Sequence, residues 1–236
     1  MNHSHLPHSR DQMTPINRFR DRTEAGQALA RSLAEEYHRS DAIVLALPRG
    51  GVPVAREIAT ALRFPLDVFV VRKIGLPQQP EFAMGALATG SVQLLDDALI
   101  AEAKVSPAEV SSVIIKEALE LQRCEDVYRG VRPPPALDGR SIILVDDGVA
   151  TGCTMRVAIL ALRKLNPSHL AVAIPVGAPD TCKTIDGLVD ELICLVQPDP
   201  LHAVGLWYDH FPAVTDEEVR QAIADAAKNT KRGRAK

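Results

Sequence analysis

The sequence of 236 residues lacks the features of several large classes of protein. No apolar run approaches the ~18 residues of a membrane helix, and the polar, histidine-rich start has no apolar signal-peptide core. We therefore expect a cytoplasmic protein that does not enter the membrane. The formal net charge is only −3, and basic and aromatic residues are not clustered, so we do not expect nucleic acid as a partner.

Cysteine and nucleotide-binding signatures are also scarce. Cys124, Cys153, Cys182 and Cys194 have no paired short spacing, which excludes zinc-ribbon and Cys-x-x-Cys motifs and predicts reduced thiols. The sequence contains neither a Gly-x-Gly-x-x-Gly motif nor a Walker lysine motif. What is left is an ordinary globular composition, with 46% hydrophobic and 24% charged residues.

The hydrophobic pattern alternates between helical and strand periods. This alternation predicts an α/β fold with a central, mostly parallel sheet flanked by helices. Ser106, Pro107 and Glu109 form a capping-box pattern that predicts the start of a long helix ending near Gly130. The predicted strands are 42–47, 65–71, 82–88, 91–95, 141–145, 170–176 and 191–196, and the other predicted helices are 23–37, 52–62, 155–165 and 180–186.

Three segments are predicted to lie outside regular structure. Residues 72–81 contain a glycine, two prolines and two glutamines without an apolar period, so we expect a mobile loop there. We expect a disordered tail at 1–16, one folded domain at 17–227 and a second disordered tail at 228–236. The last segment contains five basic residues and no acidic ones.

The most informative segment reads SIILVDDGVATGCTM. An apolar strand ends in Asp146 and Asp147, and a loop containing Gly152 leads into a helix. Ligands of α/β sheets bind at the carboxyl ends of the strands, where a helix N-terminus favours phosphate. Thr151 and Thr154 add hydroxyl donors, and ionised aspartates accept hydrogen bonds from a diol. The segment therefore predicts a sugar-phosphate site; the alternative is a polar turn with Thr154 as a routine helix cap.

The order of apolar strand, two acids, three spacers and Thr-Gly-x-Thr resembles the motif with which type I phosphoribosyltransferases bind phosphoribosyl diphosphate (PRPP). The runs LALPRGGVPVA, VRKIGLPQQPEFAMGA and AVGLWYDHF are similar to a bacterial subgroup of this family without an assigned acceptor. The resemblance covers most of residues 17–220. It implies the type I phosphoribosyltransferase fold, with a mobile loop or hairpin and a small hood region.

The resemblance also implies an activity and a cofactor. The enzyme would be a pentosyltransferase that moves the 5-phosphoribosyl group from PRPP to a nitrogenous acceptor and releases diphosphate, with Mg²⁺ as cofactor. Such a reaction belongs to nucleotide metabolism, as a salvage step. We also expect a homodimer. The alternative is a PRPP-binding regulatory protein that does not turn its ligand over.

Site residues follow from the resemblance position by position. Asp146 and Asp147 would bind the ribose hydroxyls directly or hold Mg²⁺, in part through water, and together with Arg49 they are the predicted catalytic residues. A non-proline cis peptide is expected between Pro48 and Arg49. The 6-oxopurine enzymes have an aspartate at the position of Ala150, which disfavours hypoxanthine and guanine as acceptors. The predicted PRPP-binding residues are Pro48, Arg49, Gly50, Arg72, Lys73, Asp146, Asp147, Ala150, Thr151, Gly152, Cys153 and Thr154.

Five residues, two of them from this list, each have two interpretations. Arg72 and Lys73 either swing onto the diphosphate or merely increase solubility at a strand end. Glu81 either handles a proton or metal, or is a loop carboxylate without a role. Trp207 and Tyr208 either stack on a planar acceptor or pack in the core. We favour the core for Trp207 and the ligand for Tyr208.

Overall fold

The structure of the protein is a computed structural model that describes residues 18–37 and 41–233. The whole predicted tail 1–16 and residues 234–236 of the other predicted tail lie outside the described residues. The helices are α1 (Arg22–Tyr37), α2 (Gly51–Leu62), α3 (Asp97–Glu102), α4 (Pro107–Arg129), α5 (Cys153–Lys164), α6 (Pro179–Asp186) and α7 (Asp216–Gly233), with a short 3-10 helix at Val204–Trp207. The strands are β1 (Ile43–Ala46), β2 (Leu66–Val68), β3 (Val71–Leu76), β4 (Gln79–Ala88), β5 (Val92–Leu95), β6 (Ser141–Val145), β7 (His169–Val176) and β8 (Glu191–Val196).

Five parallel strands form the central sheet in the order β2-β1-β6-β7-β8. The residues of β1 alternate between two cores. Val44 packs in the layer of α1, α2, α4 and α7, whereas Leu45 packs in the layer of α5 and α6. Both faces of the sheet are therefore buried, which explains the continuously apolar strands. The predicted α/β architecture is confirmed.

The register of β1 and β6 places their carboxyl ends side by side. Ala46 pairs with Val145, and the Leu47 amide donates to the Val145 carbonyl at 2.9 Å. The loop after β1 and the acid pair after β6 therefore emerge at the same edge of the sheet.

The segment 72–81 is not a loop, contrary to our expectation. It forms most of the hairpin of β3 and β4, and β5 completes an antiparallel three-stranded sheet. Pairing shifts register on both sides of Gly75, and of β3 only Ile74 is buried. The strand pattern was missed because irregular pairing and one-sided burial remove the apolar alternation on which the prediction depended. The predicted hairpin across residues 89–90 is present.

The C-terminal prediction also needs correction, because α7 continues to Gly233 and includes residues 228–233 of the expected disordered tail. Val219, Ala222 and Ile223 are buried in the same core layer as α4. This apolar face anchors the helix, and the basic residues that follow are good helix formers. Across residues 18–37 and 41–233, no helix combines the length and apolarity that crossing a bilayer demands.

The predicted capping box of α4 is present, with reciprocal bonds between Ser106 and Glu109. At the other end of this helix, the Arg129 side chain is only 3% exposed. Its guanidinium donates to Asp67 at 2.8 Å, to Glu125 at 2.7 Å and to the Val68 carbonyl at 2.6 Å. Burial raises the pKa of the Asp67 carboxyl, and the charge of Arg129 opposes that effect.

Replacing Arg129 with Met should lower the free energy of unfolding by about 3–5 kcal/mol, because Asp67 and Glu125 would lose their buried cation. Arg123→Met is the matched control. That side chain is 55% exposed and pairs with Glu120 on the same helix, so the loss should be below about 1 kcal/mol. Urea unfolding of both variants measures the difference, and equal losses would contradict this view of Arg129.

Candidate functional site

The first part of the site is the turn between β1 and α2. The peptide bond between Pro48 and Arg49 is cis, as expected from the resemblance. At Gly50 the backbone touches the acid pair of the neighbouring strand, because a Cβ atom there would overlap Asp147 Oδ2. Only a residue without a side chain allows this approach. The turn and the acids thus form one contiguous surface.

The second part is a cavity of about 260 Å³ at the start of α5. Gly152 caps this helix with φ +72° and supplies no capping side chain, so the first amide groups of the helix are left for a ligand. The loop before it is fixed by its neighbours. The Val149 amide donates to the Val176 carbonyl at 2.8 Å, and the Thr181 hydroxyl donates to the Ala150 carbonyl at 2.6 Å. The lining residues are Asp146, Gly148, Val149, Ala150, Thr151, Gly152, Cys153, Thr154, Met155 and Val204.

The two acids of the motif have different surroundings. Asp146 lines the cavity, and one of its carboxylate oxygens accepts the Asp147 amide at 2.9 Å. Asp147 instead packs against Gly50 and accepts a hydrogen bond from Arg22 Nε at 2.8 Å. Burial raises the pKa of both carboxyls, and the charge of Asp147 raises that of Asp146 further, whereas Arg22 opposes the rise at Asp147. Of the two acids, Asp146 is the one that lines the cavity.

Sequence reasoning missed Arg22. It lies 125 residues before Asp147, so no spacing rule connects them. One signal in the sequence could have identified it. Arg22 lies in the first turn of a helix, where the helix dipole disfavours a cation, so a compensating negative partner is expected.

Residues 204–212, the hood segment, border the cavity through Val204. Tyr208 is buried, and its hydroxyl donates to the Asp147 carbonyl at 2.5 Å. Trp207 is half-buried and packs against the cluster that contains Phe19 and Tyr208. We predicted that Trp207 packs in the core and that Tyr208 faces the ligand. The structure differs from this prediction, because Tyr208 is the more deeply buried of the two.

The predicted basic residues lie apart from the cavity. Arg49 is exposed, with Nη1 3.7 Å from Asp216, and Arg72 pairs with Glu117 of α4 at 2.8 Å. Lys73 is exposed on β3, and Glu81 is exposed on β4. In the described part of the chain, the residues that line the cavity do not include Arg49, Arg72, Lys73 or Glu81.

The acid pair suits a divalent cation only in part. In the described part of the chain, no three His, Cys, Asp or Glu side chains come together as a ready metal site. Asp146 and Asp147 supply carboxylate oxygens, which Mg²⁺ prefers, and a cation would relieve the repulsion between these buried groups. The residues present therefore fit Mg²⁺ if substrate oxygens and water complete its ligands.

Comparisons with known proteins show the family to which this chain belongs. The family model described as "Phosphoribosyl transferase domain" matches residues 16–209. A Mycobacterium tuberculosis protein, provisionally named as a phosphoribosyl transferase, is 41% identical over 201 residues, which is 85% of this chain. This chain spans only 45% of that relative's length. The crystal structure of a Thermus thermophilus protein, TT1426, is 38% identical, with a TM-score of 0.78 over 88% of this chain and 98% of that one.

Gly50→Ala should destabilise the protein by about 1–3 kcal/mol, because the added methyl group would overlap an Asp147 carboxylate that Arg22 holds in place. In the control Gly187→Ala, the nearest atom would lie 3.7 Å from the new Cβ. The φ there is −68°, so the control should be neutral or more stable by up to about 1 kcal/mol. Thermal unfolding measures both, and a Gly50→Ala protein as stable as wild type would refute the close packing.

Proposed function

Because this chain belongs to the phosphoribosyl transferase domain family, we propose that it moves the 5-phosphoribosyl group from PRPP to a nitrogenous acceptor and releases diphosphate. One observation carries the proposal: a cavity of about 260 Å³ lies at the start of α5, at the carboxyl edge of the sheet, and Asp146 is among the residues that line it. Nucleotide salvage in the cytoplasm is the setting that this proposal implies.

Each part of PRPP has a matching part of the site in this proposal. The 5'-phosphate binds the loop Ala150–Thr154, where free amides and threonine hydroxyls donate to it. The ribose hydroxyls donate to Asp146, whose position in the lining supports this role. The diphosphate binds the turn at Arg49. The present partner of that side chain, Asp216, is half-buried and 3.7 Å away, so diphosphate could replace it at little cost.

The reaction needs no nucleophilic side chain. The acceptor nitrogen donates its electron pair to the anomeric carbon as the bond from that carbon to the diphosphate oxygen breaks and the diphosphate leaves. The proton lost from the acceptor nitrogen passes to the departing diphosphate or to solvent. Positive charge develops on the ribose, as in glycoside chemistry, and the buried carboxylates stabilise it. Mg²⁺, when bound, would neutralise charge on the departing diphosphate.

The acceptor side of the site has little polarity. Ala150 has no group that could exchange a proton with a base, and Val204 adds an apolar wall from the hood segment. Ala150 supports an acceptor other than hypoxanthine or guanine, and Val204 suits a planar ring. The half-buried Trp207 belongs to the same segment.

The test of this function is diphosphate release from PRPP in the presence of Mg²⁺ and a panel of nitrogenous bases. Release that depends on one base supports the transferase. PRPP binding without release, whichever base is added, would contradict the transferase and favour the regulatory alternative. Absence of PRPP binding would contradict both.

Asp146→Asn should weaken PRPP binding by about 1.5–3 kcal/mol, because the amide offers the ribose hydroxyls one acceptor oxygen where the carboxyl group offers two. The sequence has a second adjacent pair of aspartates at the start of α3, and Asp97 of that pair is exposed. Asp97→Asn is therefore a matched control and should bind PRPP as wild type does. Calorimetric titration with PRPP and Mg²⁺ measures both, and unchanged affinity in Asp146→Asn would remove this residue from the site.

We also propose a homodimer formed through α4. Ile115 and Leu119 lie one turn apart on this helix and are 61% and 68% exposed. They border an open groove of about 670 Å³ between α4 and β3, together with Lys116 and Glu120. Both signs of charge surround the apolar pair, so a second copy in antiparallel orientation could satisfy them reciprocally.

Leu119→Glu should convert the dimer to a monomer, because two buried carboxylates would face each other across the interface. Leu160→Glu on α5 is the control, since Leu160 is 45% exposed in the opposite layer and should leave the assembly unchanged. Sedimentation equilibrium gives the mass in each case. A wild-type protein with the mass of one chain would overturn the proposal.

A further inference from the structure

Arg22 is a buried arginine with three partners from distant parts of the chain. It is 7% exposed and opens α1. Nε donates to Asp147 Oδ2 at 2.8 Å, and Nη1 donates to the Pro212 carbonyl at 2.7 Å. The guanidinium carbon lies 3.7 Å from the centre of the Phe211 ring. The side chain therefore joins the acid pair to the hood segment.

The positive charge of Arg22 would destabilise the folded protein if no nearby group compensated it. Burial removes the hydration of the guanidinium, and the N-terminal dipole of α1 repels a cation. The carboxylate, the carbonyl and the ring face together compensate the charge of Arg22. Arginine suits this place because its planar fork reaches two acceptors while its face stacks on a ring, which the point charge of lysine does not do.

Asp147 is held from three sides. Arg22 binds its carboxylate, Gly50 packs against the same group, and the Tyr208 hydroxyl donates to its carbonyl. Tyr208 in turn packs on Phe211, with ring centres 4.9 Å apart. The turn at Gly50, the acid pair and the hood segment thus share one set of contacts, and Arg22 connects the last two.

The hood segment also pairs with the chain just before Arg22. The Phe19 amide donates to the Trp207 carbonyl, and the Asp209 amide donates to the Phe19 carbonyl, each at 2.9 Å. The backbone of the hood is therefore anchored beside α1, and Arg22 extends this anchor to the acid pair.

We propose that Arg22 is a positioning residue for PRPP binding, which fixes Asp147 against the turn at Gly50 and couples the hood segment to the acid pair. The inference rests on the proposed function, because PRPP is the ligand whose affinity it concerns. Arg22 acts through Asp147 and the hood and does not line the cavity among the described residues. Loss of Arg22 should loosen the diphosphate turn and the hood together.

The test compares Arg22→Gln and Arg22→Lys with Asp147→Asn and with the double variant Arg22→Gln/Asp147→Asn. Calorimetry gives the affinity for PRPP with Mg²⁺, and emission of Trp207, the one tryptophan in the sequence, reports on the hood. Arg20→Gln is the matched control, because its side chain lies two residues earlier, is 69% exposed and pairs only with Asp21 among the described contacts.

Arg22→Gln should weaken PRPP binding at least about tenfold and shift Trp207 emission to longer wavelength. Arg22→Lys should recover part of the stability, since it keeps the charge, but not the affinity, since it loses the fork. In the Asp147→Asn background, Arg22→Gln should cause little further loss of affinity, because both changes remove the same contact. Arg20→Gln should match wild type in every measurement.

The outcomes separate the two proposals. If wild type does not bind PRPP, the proposed function fails and this inference fails with it. If wild type binds PRPP, the function stands, and three results would overturn the inference: unchanged affinity in Arg22→Gln, full recovery by Arg22→Lys, or additive losses in the double variant. Should Arg22→Gln not fold, Arg22→Lys decides the question, and wild-type affinity in that variant would overturn the inference.

Discussion

Parallel pairing of β1 with β6 is the constraint on which the site depends. Their register brings Ala46 next to Val145, so the turn after one strand and the acid pair after the other meet at one edge of the sheet. Gly50 then approaches Asp147 so closely that a Cβ atom would overlap its carboxylate. Each segment is short, and the chemistry arises from their contact. Burial of both sheet faces keeps the register fixed, because a slip of one residue would exchange the two core layers.

Two adjacent carboxylates under burial are the main electrostatic difficulty of this arrangement. Desolvation and mutual repulsion raise the pKa of Asp146, whereas the guanidinium of Arg22 opposes this rise at Asp147. The pair is therefore asymmetric. Asp146 faces the cavity, and Asp147 is committed to Arg22, Gly50 and the hood. The two acids of the motif therefore have different roles in the structure. Asp146 lines the cavity, and Asp147 contacts the segments that surround it.

Prediction from the sequence succeeded where a local rule decides the structure. The capping box of Ser106 and Glu109 fixed the start of α4, and apolar runs located the central strands. It was wrong where pairing with another segment decides. Residues 72–81 became strand through an irregular hairpin, and residues 228–233 became helix because α7 is anchored by its buried face. In both cases the stabilising contacts are tertiary, and the local sequence shows no clear hydrophobic periodicity.

By itself, the sequence determined the α/β fold, the glycine-containing loop at the start of α5, and the presence of acids at the end of β6. These follow from hydrophobic period and local backbone requirements, which act between neighbours in the chain. Tertiary structure decided that Asp146 rather than Asp147 lines the cavity, that Arg22 is the partner of the acid pair, and that Tyr208 of the hood segment is buried. The positions of Arg22 and Tyr208 depend on contacts between segments more than 60 residues apart, because burial and charge pairing act through space and not along the chain.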